Sequence, residues 1–122
     1  EIDEVVKICK FLKTKNYKII VNLMQITEQK EKDISIAAKK ISLSNPNVLY
    51  FADSLGAMDT PDVSKYVRIL RKHWKGELGI HTHNNLGKAL SNSLAAIKNG
   101  VTWIDSTVTG MGRGPGNSET EY

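Results

Sequence analysis

A short apolar run that recurs along the chain constrains the fold more than any other feature. Four such runs, each rich in β-branched or aromatic residues, cover residues 17–25, 48–52, 78–82 and 101–107. Their starts recur roughly every 25–30 residues, which is the length of one strand followed by one helix. Strands that alternate with helices in this way form a parallel sheet covered by helices. The chain is too short for two domains, so we predict a single α/β domain over residues 1–122.

The segments between these runs have the apolar spacing of helices. Residues 2–12 are predicted to form an opening helix. In the next helix, apolar residues share one face because they lie three or four positions apart. They are Ile34, Ala37, Ala38 and Ile41. Thr60 and Pro61 predict the start of a third helix, since a threonine cap followed by proline is a typical helix beginning.

The third and fourth helices are each predicted to bury an apolar stripe. In the third helix the stripe consists of Val63, Val67, Leu70 and Trp74. In the fourth helix it consists of Leu86, Leu90, Leu94 and Ile97. Asn99 and Gly100 end the fourth helix, because both residue types readily adopt the left-handed conformation found at helix C-termini. The predicted order is one helix, three strand–helix pairs and a final strand.

Polar residues follow each predicted strand, and their distribution distinguishes two parallel-sheet folds. They are Gln25 and Thr27, Asp53 and Ser54, His81 and His83, and Thr107 and Thr109. A TIM (β/α)8 barrel draws its active site from the C-terminal ends of several strands. A doubly wound open sheet concentrates such residues at one switch point. The distribution favours the barrel, of which these four strands would form the C-terminal half.

Charge and composition argue against a nucleic-acid or membrane function. The net charge is +4, but the lysines near residues 28–33 alternate with Glu and Asp, as on a solvated helix face. No apolar run approaches the ~20 residues that a membrane-spanning helix needs. Cys9 is the only cysteine and shares a helix face with Val5 and Leu12, so we expect a buried thiol rather than a nucleophile. A chain without an internal disulfide fits a reducing, cytoplasmic setting.

His81 and His83 form the most informative motif. Side chains alternate along a strand, so these two imidazoles point to the same face while Thr82 points to the other. Two imidazoles on one face at the end of a strand can bind one cation, although a pair of hydrogen-bonded core histidines has the same spacing. Asp53 and Asp105 are candidate third ligands, and each could instead cap a loop or face the helices. A set of two histidines and a carboxylate suits Mn²⁺, Fe²⁺, Co²⁺ or Zn²⁺, or Mg²⁺ with added waters.

A glycine-rich segment follows the last predicted strand. Residues 110–117 contain four glycines that permit close backbone approach to a ligand or a positive φ, although a plain flexible loop has the same composition. The spacing does not match a dinucleotide-binding fingerprint. Asn117 could offer its amide oxygen to a metal. Arg113 could bind a carboxylate or phosphate, or could be an exposed solubilising residue.

Several of these segments resemble one known family. Residues 81–87 and 89–96, with Gly100, resemble the seventh strand and helix of the DRE-TIM metallolyases, the HMGL-like family. Residues 21–24 and 51–58 resemble its fifth and sixth strands and are closest to the 4-hydroxy-2-oxovalerate aldolase branch. Residues 110–117 resemble the loop after strand eight. The resemblance covers nearly the whole chain and implies strands five to eight of the barrel.

The resemblance implies roles for individual residues. His81, His83 and Asn117 would be metal ligands, with Mn²⁺ expected first and Mg²⁺, Co²⁺ or Zn²⁺ as alternatives. Ser54 would bind the oxo-acid group of the substrate, and we expect Asp53, Gly112 and Arg113 beside it. A further aspartate ligand, a catalytic arginine and a histidine base belong to the family's first strand. That strand has no counterpart in this sequence.

The implied activity is a metal-dependent aldolase that cleaves or forms a 4-hydroxy-2-oxo acid. A partner aldehyde dehydrogenase and an oligomeric assembly are expected with it. An alternative within the family is Claisen-type acyl transfer, as in isopropylmalate and homocitrate synthases. The loop over residues 112–116 lacks the glutamate or cysteine expected beside a CoA thioester, which disfavours that alternative. A second alternative is an inactive metal-binding fragment that needs a partner chain.

Overall fold

Four parallel strands form the centre of the structure, a computed structural model that describes residues 1–122. In chain order the elements are α1 (Ile2–Thr14), β1 (Ile20–Leu23), α2 (Glu31–Ser42), β2 (Val48–Asp53), α3 (Thr60–Arg71), β3 (Glu77–Thr82), α4 (Ala89–Lys98) and β4 (Trp103–Ile104). Short 3₁₀ turns follow the first and last strands at Ile26–Glu28 and Val108–Gly110. The spatial order of the strands is β1-β2-β3-β4, the same as their order in the chain. The helices α2, α3 and α4 therefore each connect two neighbouring parallel strands, as the alternation predicts.

The two faces of the sheet have different surroundings. Leu49 and Phe51 of β2 pair with Leu78 and Ile80 of β3, and all four are fully buried in the core against the helices. Alternation places the intervening residues on the opposite face. There the register sets Tyr50 beside Gly79 and Ala52 beside His81. This opposite face, with the strand ends that border it, carries the candidate site.

The four predicted strands are all present, and the two outer ones are shorter than predicted. The strand predicted over residues 17–25 is observed as β1 at Ile20–Leu23, and the strand predicted over 101–107 is observed as β4 at Trp103–Ile104. Each outer strand pairs on one side only, β1 with β2 over four residues and β4 with β3 over two. The inner strands pair on both sides and match their predicted spans within one residue.

The predicted helices are present, with one correction to a helix start. The apolar face of α2 is buried as predicted, and so is the stripe of α3, although Trp74 lies beyond the end of that helix. Asp59, rather than Thr60, is the N-cap of α3. Its carboxylate accepts a hydrogen bond from the Asp62 N–H, and the Asp62 carboxylate accepts one from the Asp59 N–H. None of the helices has the length and apolar composition needed to cross a membrane.

The predicted stripe of α4 is wrong. Leu86 precedes the helix, and Leu94 and Ile97 are about half exposed. The buried face consists instead of small and polar residues, namely Ala89, Asn92, Ser93, Ala95 and Ala96. These side chains allow close approach and satisfy buried polar groups, since Asn92 donates to the Met58 carbonyl at 2.9 Å. The Oγ of Ser93 lies 3.2 Å from Oγ1 of Thr82 in β3.

Candidate metal centre

His81 and His83 lie together at the C-terminal end of β3. Their ring centroids are 5.0 Å apart and the ring planes meet at 79°. Both side chains are partly buried, and His81 is on the face opposite the apolar core. The shared face and the short separation follow from their spacing along the strand. Two imidazoles in this arrangement can donate lone pairs to one cation.

Asn117 joins the two histidines through the glycine-rich segment. His83 and Asn117 form an isolated antiparallel bridge, and the Asn84 N–H donates to the Gly116 carbonyl at 2.9 Å. These contacts bring the Asn117 amide nitrogen within 3.4 Å of Nε2 of His81. The amide oxygen of Asn117 is buried and has no hydrogen-bond partner. A buried acceptor without a donor has a cost of about 1–3 kcal/mol, and a ligand can remove that cost.

Gly112 provides the space in which the Asn117 side chain lies. A Cβ added at Gly112 would overlap the Oδ1 atom of Asn117. Gly116 has a φ of +84°, and a Cβ there would overlap the Gly110 carbonyl oxygen. Gly112 therefore leaves space for the Asn117 amide, and Gly116 allows the positive φ of the turn. Gly112 was expected to contact substrate, and in the structure it contacts Asn117.

Asp105 contacts His81, and Tyr50 lies on the same face of the sheet as His81. The Oδ2 atom of Asp105 lies 3.0 Å from Nδ1 of His81. Tyr50 is buried, and its burial together with the negative charge of Asp105 raises the pKa of Tyr50. The sequence left the orientation of Asp105 open and gave Tyr50 no role. The register of β2 against β3, which sets Tyr50 beside Gly79, is the signal that would have placed Tyr50 on this face.

The surroundings of His83 favour its neutral form. Burial lowers the pKa of His83, and electrostatic repulsion from the neighbouring His81 lowers it further. The negative charge of Asp53 and a hydrogen bond with the Arg113 backbone act in the opposite direction. The net effect is a lowered pKa, and the neutral imidazole is the form that binds metals.

Asp53, expected as a substrate contact, has a different position. Its side chain is fully buried, and the two carboxylate oxygens accept hydrogen bonds from the N–H groups of Ala57 and Met58 at 3.0 and 3.1 Å. It pairs in register with Thr82, on the helix-facing side of the sheet. Asp53 therefore holds the loop after β2, which is one of the roles that the sequence left open for it.

Ser54 and Arg113 lie where a ligand could reach them. Ser54 is partly buried, and its Oγ accepts a hydrogen bond from the Gln25 N–H at 2.9 Å. Its hydroxyl hydrogen is therefore available to an acceptor from outside. Arg113 is exposed, and its positive charge contributes to the lowered pKa of His83. A cationic side chain whose charge reaches His83 suits an anionic ligand.

The residues of the site could supply part of the ligand set of a metal. Residues 1–122 contain no cluster of three or more His, Cys, Asp or Glu side chains that could hold a metal. Two imidazoles and one buried, unsatisfied amide oxygen nevertheless fit part of a divalent-metal shell, which further oxygen ligands would complete.

The profile of the HMGL-like family matches residues 1–122. The chain belongs to the HMGL-like family.

Curated relatives of this HMGL-like chain are named 4-hydroxy-2-oxovalerate aldolase. The one from Pelotomaculum thermopropionicum is 41% identical over 99 residues, which are 81% of this chain and 29% of the relative. The one from Carboxydothermus hydrogenoformans is 42% identical over 84 residues, or 69% of this chain and 25% of the relative. The HMGL-like chain thus spans less than a third of the length of these relatives.

Solved structures show the same fold in larger chains. The N-terminal domain of a candidate aldolase from Bacteroides vulgatus superposes on the HMGL-like chain with a TM-score of 0.87 at 32% identity, covering 98% of this chain and 40% of that one. The HMG-CoA lyase of Bacillus subtilis superposes with a TM-score of 0.88 at 18% identity, covering 98% and 45%. The parallel sheet and these neighbours confirm the predicted fold, part of a TIM barrel.

Proposed function

We propose that the complete protein is a divalent-metal-dependent aldolase that cleaves or forms a 4-hydroxy-2-oxo acid such as 4-hydroxy-2-oxovalerate. The observation that carries this proposal is the convergence of His81, His83 and the side-chain amide of Asn117, whose oxygen has no hydrogen-bond partner, at one end of the sheet. The chain's 41% identity to a curated 4-hydroxy-2-oxovalerate aldolase supports the choice of reaction.

His81, His83 and Asn117 would hold the metal through two ring nitrogens and one amide oxygen. A divalent cation bound there would act as a Lewis acid on the carbonyl of a 2-oxo acid and would stabilise negative charge on that oxygen. The neutral state of His83, favoured by its lowered pKa, keeps its lone pair available. Gly112 keeps the Asn117 amide in place because any larger residue would overlap it.

Ser54 and Arg113 would bind and orient the substrate. The Ser54 hydroxyl accepts from the Gln25 N–H, which fixes the oxygen and leaves its hydrogen to donate to a substrate carboxylate. A hydrogen bond to a charged group contributes about 1.5–3 kcal/mol. Arg113 adds a positive charge at the same end of the sheet. This charge would attract the substrate and the product pyruvate, because both are anions.

The proton transfer needs a group that these residues do not supply. Cleavage of a 4-hydroxy-2-oxo acid requires a base that takes the proton of the 4-hydroxyl group as the aldehyde leaves. On this side of the sheet the imidazoles of His81 and His83 are assigned to the metal, and Asp105 is bonded to His81. We therefore place the base in the part of the barrel that lies outside residues 1–122.

We propose Mn²⁺ as the working metal. Imidazole nitrogens combined with oxygen ligands suit Mn²⁺, and Co²⁺ or Zn²⁺ accept the same donors. Mg²⁺ prefers oxygen ligands and retains several waters, which makes it the weaker candidate for a site with two imidazoles. The order of metal-dependent rates in a metal-stripped preparation tests this choice directly.

The reaction also suggests the setting in which the protein works. The aldehyde product is reactive, which supports the proposal of an aldehyde dehydrogenase partner that consumes it and of an oligomer that holds the two enzymes. The free thiol of Cys9 is buried and suits the reducing conditions of the cytoplasm. Co-purification of a dehydrogenase with the complete protein would test the partnership.

One assay separates the aldolase from the acyl transferase alternative. The complete protein, stripped of metal and then supplied with Mn²⁺, is incubated with 4-hydroxy-2-oxovalerate, and pyruvate is measured with lactate dehydrogenase and NADH. Parallel reactions contain acetyl-CoA and a 2-oxo acid, with free thiol as the readout. Metal-dependent pyruvate release without thiol release supports the proposal. Thiol release without pyruvate would replace the aldolase with a Claisen-type acyl transferase.

A further inference from the structure

We propose that Asp105 and Tyr50 are positioning residues that orient His81 toward the metal, an inference that rests on the proposed metal site. Asp105 and His81 are 24 positions apart, and the pairing of β3 with β4 brings them together. The Asp105 N–H donates to the Ile80 carbonyl at 3.1 Å, which fixes the Asp105 backbone beside β3. Its carboxylate then lies 3.0 Å from Nδ1 of His81.

This contact decides which nitrogen of His81 can bind a metal. A carboxylate only accepts hydrogen bonds, so the hydrogen of the neutral imidazole must be on Nδ1. Nε2 then carries the lone pair, and it is the nitrogen that faces the Asn117 amide at 3.4 Å. A carboxylate behind a histidine ligand fixes the ring and makes it a stronger donor. Asp105 is thereby assigned to the support of His81 and not to direct binding of the metal.

Tyr50 lies on the face of the sheet that carries His81. The register places Tyr50 beside Gly79, two residues before His81, and a Cβ added at Gly79 would overlap the Tyr50 ring. Only glycine at position 79 therefore leaves room for the Tyr50 ring. Burial and the negative charge of Asp105 raise the pKa of Tyr50, so its hydroxyl stays protonated and can donate to that carboxylate. Tyr50 would thereby support Asp105 as Asp105 supports His81.

The test uses the complete protein and four variants: Asp105→Ala, Asp105→Asn, Tyr50→Phe and Asp33→Ala. Asp33 is an exposed aspartate in the first turn of α2 whose side chain forms no hydrogen bond, so its variant is the matched control. The first measurement is the tautomer of His81 in metal-free, ¹⁵N-histidine-labelled protein by NMR at about pH 8, where an ordinary histidine is neutral. The second is Mn²⁺ affinity by titration calorimetry.

The parent and the control should show the hydrogen of His81 on Nδ1, and Asp105→Ala should shift it toward Nε2. Mn²⁺ affinity should fall about 10- to 100-fold in Asp105→Ala, as for other supports of metal-binding histidines. Asp105→Asn keeps an acceptor without the charge and should lie between the parent and Asp105→Ala. Tyr50→Phe keeps the ring over Gly79 and should weaken Mn²⁺ binding less than Asp105→Ala does.

One result would overturn the inference about Asp105, and a different result would overturn the proposed metal site. An Asp105→Ala protein with an unchanged His81 tautomer and Mn²⁺ affinity within about threefold of the parent overturns the positioning role. A folded parent that binds no Mn²⁺ overturns the proposed metal site. In that second case the tautomer comparison, made without metal, still decides whether Asp105 orients His81.

Discussion

The side-chain amide of Asn117 lies 3.4 Å from Nε2 of His81, although the two residues are 36 positions apart in the chain. Two backbone contacts produce this approach: the bridge between His83 and Asn117, and the hydrogen bond from Asn84 to Gly116. The glycine-rich segment therefore folds back along the end of β3. The candidate metal centre depends on this return of the chain as much as on the histidine strand.

His83→Ala in the complete protein should abolish Mn²⁺-dependent pyruvate release while leaving the fold intact. The His83 ring is only partly buried, so its loss removes a proposed metal ligand without opening a large cavity. Pyruvate release and the circular dichroism spectrum are measured together. His73→Ala is the control, because His73 lies 2.9 Å from Ser35 and away from the site. Equal activity in the two variants would contradict the role given to His83.

Gly112→Ala should weaken Mn²⁺ binding at least tenfold, because the new Cβ would displace the Asn117 amide. Gly114→Ala is the matched control in the same loop. Gly114 has a φ of +61° and open space around a Cβ, so alanine there should cost only about 1–2 kcal/mol of backbone strain. Calorimetric titration with Mn²⁺ compares the two. A Gly112→Ala protein that binds as tightly as Gly114→Ala would show that the Asn117 amide is not a ligand.

The fold was largely predictable because its signals are local and periodic. The spacing of apolar runs gave all four strands, and the two-residue period of a strand placed His81 and His83 on one face. The predicted stripe of α4 is wrong because it rests on the spacing of leucines, which are partly exposed. That helix instead packs through Ala, Ser and Asn, whose small size allows close contact with β3.

The candidate site was predictable only in part, because half of it depends on contacts between distant segments. The role of Asp53 in the loop after β2 requires knowledge of which backbone N–H groups lie near its carboxylate. The approach of Asp105 to His81 depends on the pairing of β3 with β4. Neither relationship leaves a pattern within a short stretch of sequence.

Ser54→Ala should lower the rate of pyruvate release by about ten- to a hundredfold, which corresponds to one lost hydrogen bond to a charged substrate group. The variant also removes the acceptor of the Gln25 N–H, so its thermal midpoint is measured alongside. Ser91→Ala is the control, since Ser91 is exposed and bonds only to the Lys88 carbonyl. An unchanged rate with normal Mn²⁺ affinity would remove Ser54 from the substrate site.

Asp53→Ala should act on stability rather than on substrate binding. The fully buried carboxylate accepts two backbone hydrogen bonds, and its loss leaves the Ala57 and Met58 N–H groups without a partner. We expect the free energy of unfolding to fall by about 2–4 kcal/mol, measured by urea denaturation of the complete protein. The Michaelis constant for the 4-hydroxy-2-oxo acid should change little. A large increase in that constant with unchanged stability would restore Asp53 as a substrate contact.

A polypeptide of residues 1–122 alone should associate in solution. The outer strands β1 and β4 each pair on one side only, so both present unpaired backbone groups to another chain. Apolar side chains near the β1 edge are exposed, including Tyr17, Ile20 and Met24. Ile20→Lys should reduce association because a charge on an edge strand opposes pairing, whereas Leu43→Lys, at an exposed position after α2, should not. Sedimentation velocity at several concentrations measures this, and a stable monomer at every concentration would contradict it.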